Sequence, residues 1–138
     1  MPYPEMLVSP MRAELSNNGF EELKSSKEVI NAFENPEGTM LLVVNSVCGC
    51  AAGSCRPGVV HSLNSDKKPE KLVTVFAGQD LEAVAKAREN MVPYPPSSPA
   101  IALFKDGKLV HMIERHNIEG RTAQMIADNL KMAYEQFC

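Results

Sequence analysis

The chain has 138 residues, the length of one ordinary domain. Its hydrophobic fraction of 44% and charged fraction of 22% argue against a disordered chain and against a membrane protein. The 14 basic and 17 acidic residues give a net charge of −3, which argues against nucleic acid as a partner because phosphate binding needs a basic surface.

No segment of the sequence is suited to a membrane. The longest apolar runs are residues 40–44 and 100–104, whereas a membrane helix needs about 20 apolar residues. The N-terminus lacks the basic start and the apolar stretch of a secretory signal peptide. We therefore expect a single domain over residues 1–138, located in the cytoplasm, where thiols are normally kept reduced.

Two helices are predicted before the first long apolar run. The first covers residues 4–18, although Pro10 lies inside it, and ends at Gly19. Its expected buried residues are Met6, Leu7, Met11 and Leu15. The second begins with the capping-box pattern Ser25-x-x-Glu28 and ends before Pro36. Its expected buried residues are Val29, Ile30 and Phe33.

The rest of the chain predicts a β-α-β unit, then a β-hairpin and a closing helix. Strands are expected at residues 39–44, 72–76, 100–104 and 109–113, with Asp106-Gly107 as the hairpin turn. Helices are expected at residues 51–63 with a kink at Pro57, at residues 81–91 with Asp80 as N-cap, and at residues 122–137. The expected buried residues of the last two helices are Leu81, Val84, Ala85, Met125, Ile126, Leu130, Ala133 and Phe137.

This order of elements is that of the thioredoxin-like fold. The predicted class is α/β, with a central mixed sheet of about four strands flanked by helices and an extra N-terminal helical segment. Such a fold carries its reactive loop at the carboxyl end of the first long strand.

Cys48 and Cys50 lie between the first long strand and the helix that follows it, where helix N–H groups without partners favour a thiolate. Cys48 is the better nucleophile candidate, because its sulfur lies at the mouth of the helix and Cys50 lies further inward. A disulfide between residues i and i+2 is expected to be strained and easily reduced, even though Gly49 admits backbone angles closed to other residues. This chemistry favours disulfide exchange or isomerisation.

Other interpretations of the cysteines remain open. They could be buried small side chains, which is common for free cysteine, and the protein an adaptor with incidental thiols. Cys48, Cys50 and Cys55, with a histidine or Cys138, could instead bind zinc or an iron–sulfur cluster, although a second closely spaced ligand pair is missing.

Two further segments are candidates for substrate binding. We expect a cis peptide bond before Pro99, because the thioredoxin-like fold places a cis-proline beside the reactive sulfur. The backbone of Ser98 can then pair with a bound peptide. Arg115 and His116 could supply positive charge to the thiolate or contact an anionic ligand, or they could be solvated loop residues.

Several motifs beyond the cysteine pair carry a family resemblance. They are Met11-Arg12-x-Glu14-Leu15, residues 19–23, residues 43–53 around Cys48-Gly49-Cys50, Arg56-Pro57, residues 74–80, Pro96-Ser97-Ser98-Pro99, Arg115-His116-x-Ile118-Glu119-Gly120 and Cys138. On these motifs the sequence resembles the bacilliredoxins, thioredoxin-like proteins with a Cys-Gly-Cys active site. Ser54-Cys55 departs from the apolar, cysteine-free pattern expected at those positions.

The resemblance implies thiol–disulfide exchange with bacillithiol, a small thiol that forms mixed disulfides on oxidised proteins. Cys48 would attack the bacillithiol sulfur and Cys50 would resolve the resulting adduct. Disulfide isomerase activity is also implied. The expected partners are bacillithiol and bacillithiolated proteins, and neither a cofactor nor a metal is expected. The expected substrate-binding residues are Gly49, Ser98, Pro99, Arg115 and His116.

Overall fold

A mixed five-stranded sheet organises residues 2–138, which the computed structural model describes. The strands are β1 (Glu21–Glu22), β2 (Thr39–Asn45), β3 (Lys71–Phe76), β4 (Ala100–Lys105) and β5 (Lys108–Ile113). Their order is β1-β3-β2-β4-β5, in which β1, β2 and β3 are parallel and β4 and β5 are antiparallel to their neighbours. The predicted α/β class with a mixed sheet is confirmed.

Helices cover both faces of this sheet. They are α1 (Glu5–Ser16), α2 (Ser26–Glu34), α3 (Arg56–Ser62), α4 (Leu81–Arg88), α5 (Arg115–Ile118) and α6 (Ala123–Phe137), with a π-helical turn at Ala51–Cys55 before α3. All of β2 is buried, and its side chains alternate between two cores, as expected for a central strand. Leu41 and Val43 pack toward α3 and α6, whereas Leu42 and Val44 pack toward α2 and α4. Within residues 2–138 no helix has the length and apolarity to cross a bilayer.

The strand β1 and the short helix α5 are elements that the sequence did not predict, and β1 has a clear physical explanation. This strand consists of two glutamates and so carries no apolar pattern. It pairs with β3 at the edge of the sheet, where the N–H of Leu23 also donates to the Thr74 carbonyl at 2.8 Å. Backbone hydrogen bonds with a long neighbouring strand hold it, and such bonds do not depend on side-chain type.

The buried face of α1 differs from the prediction. Met6 is 88% exposed and Leu7 is also exposed, whereas Val8, Arg12 and Leu15 are buried. These three residues lie along one side of the helix at spacings of four and three. The prediction is confirmed for Leu15 and wrong for Met6 and Leu7, because apolarity alone does not reveal that an arginine is buried beside carboxylates.

The other predicted helix faces are partly correct. Val29, Val84, Ile126, Leu130 and Ala133 are buried as expected. Ile30, Leu81, Ala85 and Met125 are exposed instead. In α4 the small residues Ala83 and Ala87 are buried instead of Leu81 and Ala85, so this helix packs closely against the sheet.

The predicted helix starts are also partly correct. Ser25 Oγ accepts the N–H of Glu28 at 3.2 Å, and Thr122 Oγ accepts the N–H of Met125 at 3.1 Å. Asp80 precedes α4 but makes no capping hydrogen bond with its side chain. Both of its carboxylate oxygens accept hydrogen bonds from Arg12 instead, at 2.8 and 2.9 Å.

Gly58 permits the close contact between α3 and α6. A Cβ at this position would lie 2.7 Å from Ile126 Cβ and 2.9 Å from the Ala123 carbonyl oxygen. Because backbone cannot move aside cheaply, we expect Gly58→Ala to lower the free energy of unfolding by about 1–3 kcal/mol, measured by urea denaturation. Gly53→Ala is the matched control, since a Cβ there meets nothing within 4 Å. Equal unfolding midpoints for the two variants would contradict this account.

Candidate active site

Buried polar side chains hold the loop after β2 in place through hydrogen bonds. Asn45 Nδ2 donates to the Met11 carbonyl at 3.2 Å, and Asn45 Oδ1 accepts from the Ser46 N–H and from Arg56 Nη1. Arg56, which is 1% exposed, also donates to the Ser46 carbonyl at 2.7 Å. Arg56 Nε lies 3.2 Å from a Glu14 carboxylate oxygen, an ion pair without an aligned hydrogen bond. These contacts hold the loop in place at the carboxyl end of β2.

This loop brings two sulfur atoms together. Cys48 Sγ and Cys50 Sγ lie 2.7 Å apart, and the N–H of Cys50 points to Cys48 Sγ at 3.4 Å. The N–H of Cys48 donates to Ser46 Oγ at 3.1 Å, which holds the start of the turn. Both cysteines are half-buried. The side chains therefore converge, although regular strand or helix geometry would separate them.

Gly49 contributes to this site in a different way from the one predicted. Its φ does not lie in the left-handed region, so the prediction that it supplies backbone angles closed to other residues was wrong. Gly49 is exposed, and a Cβ built on it would meet nothing within 4 Å. The absence of a side chain leaves open space beside the two sulfur atoms.

The two thiols differ in acidity. The pKa of Cys48 is lowered, first by the hydrogen bond from the Cys50 thiol, then by the N–H groups of Cys50 and Ala51 and by the charge of Arg115, against the opposing effect of burial. The pKa of Cys50 is raised, first by burial and then by Cys48. The first proton lost from the pair therefore comes from Cys48.

The largest cause of the low Cys48 pKa can be tested by removing it. In a Cys138→Ser background, we expect Cys50→Ala to move the pH profile of Cys48 alkylation by iodoacetamide to higher pH, because the thiolate loses its donor. Alkylation near neutral pH should then slow. Cys50→Ser retains an O–H donor and should move the profile less. A profile that stays in place or moves to lower pH in Cys50→Ala would contradict this cause.

Arg115 connects the thiol pair with the loop before β4. The Ser98–Pro99 peptide bond is cis, as predicted, and Val92–Pro93 is a second cis bond that was not predicted. Arg115 Nη1 donates to the Ser98 carbonyl at 3.1 Å, and the charge of Arg115 lowers the pKa of both cysteines. Arg115 therefore joins the Ser98 carbonyl by a hydrogen bond and acts on the thiol pair through its charge, and substrate binding by both residues stays a prediction.

The contacts of His116 differ from those of Arg115. Its side chain is exposed, and its Nε2 atom lies 3.8 Å from a Glu114 carboxylate oxygen. None of the hydrogen bonds or ion pairs found within residues 2–138 joins it to either cysteine of the pair. Its role in substrate binding stays a prediction.

The remaining cysteines do not assemble the metal site considered from the sequence. Cys55 is completely buried, and burial raises its pKa to about 12. Cys138 is exposed at the C-terminus, where the pKa of its thiol is raised by burial and lowered by Thr39 at the start of β2. Over residues 2–138 no group of three or more histidine, cysteine, aspartate or glutamate side chains is arranged to hold a metal ion. The proposed ligand set of Cys48, Cys50 and Cys55 was wrong because the third thiol belongs to the core.

Comparison with known proteins decides the family. A family model described as disulphide isomerase matches residues 3–138. A bacilliredoxin of Cytophaga hutchinsonii is 63% identical over 134 residues, covering 97% of this chain and 98% of the relative. A bacilliredoxin of Halalkalibacterium halodurans is 54% identical over 136 residues, covering 99% and 94%. The chain belongs to the bacilliredoxin family.

Solved structures confirm the thioredoxin-like fold of this bacilliredoxin-family protein. Oxidised mitochondrial thioredoxin 3 of Saccharomyces cerevisiae matches with a TM-score of 0.57 and 17% identity, covering 90% of this chain and 98% of that one. Oxidised thioredoxin O2 of Arabidopsis thaliana matches with a TM-score of 0.55 and 18% identity, covering 86% and 96%. At such identities the likeness establishes the fold alone. Together with the family, it identifies a thiol–disulfide oxidoreductase.

Proposed function

We propose that this protein removes bacillithiol from mixed disulfides on oxidised proteins, with Cys48 as nucleophile and Cys50 as resolving thiol. The observation that carries the proposal is the pair of sulfur atoms 2.7 Å apart, of which Cys48 has the lowered pKa and Cys50 the raised pKa. A thiolate attacks disulfides and a thiol does not, so the two cysteines are suited to different steps. The relatives named bacilliredoxin support bacillithiol as the thiol that is removed.

The proposed reaction has two exchanges. The Cys48 thiolate attacks the bacillithiol sulfur of the mixed disulfide, the disulfide bond breaks, and the repaired protein leaves as a thiolate that takes up a proton. Cys50 then loses its proton and attacks Cys48 Sγ, which releases bacillithiol as a thiolate and forms the Cys48–Cys50 disulfide. Two molecules of a low-molecular-weight thiol then reduce that disulfide in two successive exchanges, leave joined as their own disulfide and restore both cysteine thiols.

Substrate binding is proposed for the residues around the pair. Gly49 leaves space for the incoming disulfide, and Ser98, whose carbonyl accepts a hydrogen bond from Arg115, lies in the chain segment proposed to contact the substrate. Arg115 stabilises the Cys48 thiolate. We place this reaction in the cytoplasm, where oxidised thiols are repaired.

Disulfide isomerisation is a second candidate activity. The description of the matching family model, disulphide isomerase, favours it. The same thiolate could attack a wrong disulfide and leave without resolution, a step that does not require Cys50. Faster refolding of a scrambled disulfide protein in the presence of the Cys50→Ser variant would reveal this activity. Refolding at the same rate with and without the variant would contradict it.

The main proposal is tested by the mass of the protein after reaction. Reduced Cys50→Ser protein is mixed with a bacillithiolated protein, and its intact mass and peptide map are measured. We expect one bacillithiol on Cys48. The Cys50→Ser/Cys138→Ser variant is the control and should carry the same adduct. An adduct on Cys138, or no adduct, would remove the proposed function.

A further inference from the structure

We propose that Arg115 and Glu119 set the charge preference of this site, so that Cys48 reacts faster with thiol reagents and substrates that carry a negative charge. The inference rests on Cys48 as the reacting thiol of the proposed function. It assigns the two residues that distinguish anionic from neutral reaction partners of that thiol.

The first observation is that an exposed arginine is fixed in place. Arg115 begins the short helix α5, and its side chain is 45% exposed. Its backbone N–H donates to Ser97 Oγ at 3.3 Å, Nη1 donates to the Ser98 carbonyl at 3.1 Å, and Nε donates to Glu119 Oε1 at 2.9 Å. The two side-chain hydrogen bonds reduce the entropy that a free arginine would lose on binding an anion.

The second observation concerns which groups are already occupied. The Ser98 carbonyl accepts a hydrogen bond from Arg115. An extended peptide that pairs with this carbonyl must displace the guanidinium. A small anionic thiol does not need the carbonyl, and Nη2, which takes no part in the three hydrogen bonds above, can donate to its carboxylate.

The third observation is the local balance of charge. The chain as a whole has a net charge of −3 and so repels anions weakly. At the site, the charge of Arg115 acts on both Cys48 and Cys50, and the charge of Glu119 acts on Cys50 with the opposite sign. Removing Arg115 and removing Glu119 should therefore change the attraction of anions in opposite directions.

The test compares two alkylating reagents of different charge. Iodoacetate and iodoacetamide attack the same thiolate at the same kind of carbon, but only iodoacetate is an anion. The ratio of their initial rates at Cys48, measured by peptide mapping in a Cys138→Ser background, therefore cancels any change in the fraction of thiolate. We expect Arg115→Met to lower the iodoacetate-to-iodoacetamide ratio by about threefold to tenfold.

Two further variants make the result specific. Glu119→Gln should raise the ratio, because it removes the carboxylate that partly neutralises Arg115. Lys108→Met changes the net charge as Arg115→Met does, but lies at the hairpin turn beside Lys105, and should leave the ratio unchanged. Added salt should reduce the effect of Arg115→Met, since the arginine is exposed.

The inference is overturned by an unchanged ratio in Arg115→Met or by an equal loss in Lys108→Met. Both reagents alkylate any accessible thiolate, so the ratio is measurable whether or not the protein accepts bacillithiol. If no bacillithiol adduct forms but the ratio depends on Arg115, the proposed function is contradicted and the charge preference is supported. The reverse result would retain the function and remove the preference.

Discussion

Replacing Cys48 with serine should lower the turnover of a bacillithiolated protein by about a thousandfold or more, because a serine hydroxyl is a far weaker nucleophile than a thiolate. The Cys48 thiolate is the group that the Cys50 thiol and the N–H groups of Cys50 and Ala51 stabilise. Cys50 is a poor replacement, because burial raises the pKa of its thiol, and the other two cysteines are not available. Cys55 is completely buried, and Cys138 lies near Thr39 at the start of β2, away from the loop that follows that strand.

Cys50→Ser should behave differently, because the first exchange does not use Cys50. We expect this variant to release the repaired protein once and then to accumulate the bacillithiol adduct on Cys48. Single-turnover release and multiple turnover, measured with the same bacillithiolated substrate, separate the two steps. In Cys50→Ser the first should persist, although slowed by loss of the thiol donor, and the second should stop unless an external thiol is added.

Cys55→Ala is the matched control for these variants. It removes a third thiol close in sequence to the pair, but one that burial keeps protonated, with a pKa of about 12. Both exchanges should therefore proceed at nearly the wild-type rate. Full turnover by Cys48→Ser would show that the roles are misassigned. Loss of resolution in Cys55→Ala would show that the buried thiol takes part.

The position of the reactive pair could be predicted from the sequence for a definite physical reason. A long apolar strand without alternation must lie at the centre of a sheet, and the residues after it emerge at its carboxyl end. The structure confirms this for β2, whose seven residues are all buried. Cys48 follows after a short turn.

The buried hydrogen bonds that hold the loop of the cysteine pair could not be predicted in the same way. Asn45 and Arg56 are 11 residues apart and meet through a buried hydrogen bond. Periodicity identifies which residues are apolar on one face, but it does not reveal which polar side chains satisfy one another inside the fold. Two polar residues at the end of a buried strand, Asn45-Ser46, were the available signal. Gly49 was misread for a similar reason, since sequence alone does not distinguish a glycine needed for φ from one needed for space.

Replacing Arg12 with methionine should lower the free energy of unfolding by about 3–5 kcal/mol, the usual cost of removing one partner from a buried ion pair. Arg12 is 7% exposed and donates to Asp80 through both Nη1 and Nη2. It also pairs with Glu5 and Glu22, and its guanidinium carbon lies 5.3 Å from the centre of the Phe76 ring. Without Arg12, the carboxylate of Asp80 stays in the interior with no cation beside it.

Urea denaturation of three variants tests this explanation. Arg12→Met should show the full loss, and Arg12→Met/Asp80→Leu should recover part of it, because the unpaired carboxylate is gone. Arg121→Met removes an exposed arginine and should stay within about 0.5 kcal/mol of wild type. If the double variant is no more stable than Arg12→Met, the cost lies in lost packing rather than in the stranded charge. Since the Met11 carbonyl next to Arg12 accepts from Asn45, a displaced α1 should also slow Cys48 alkylation, whereas Arg121→Met should not.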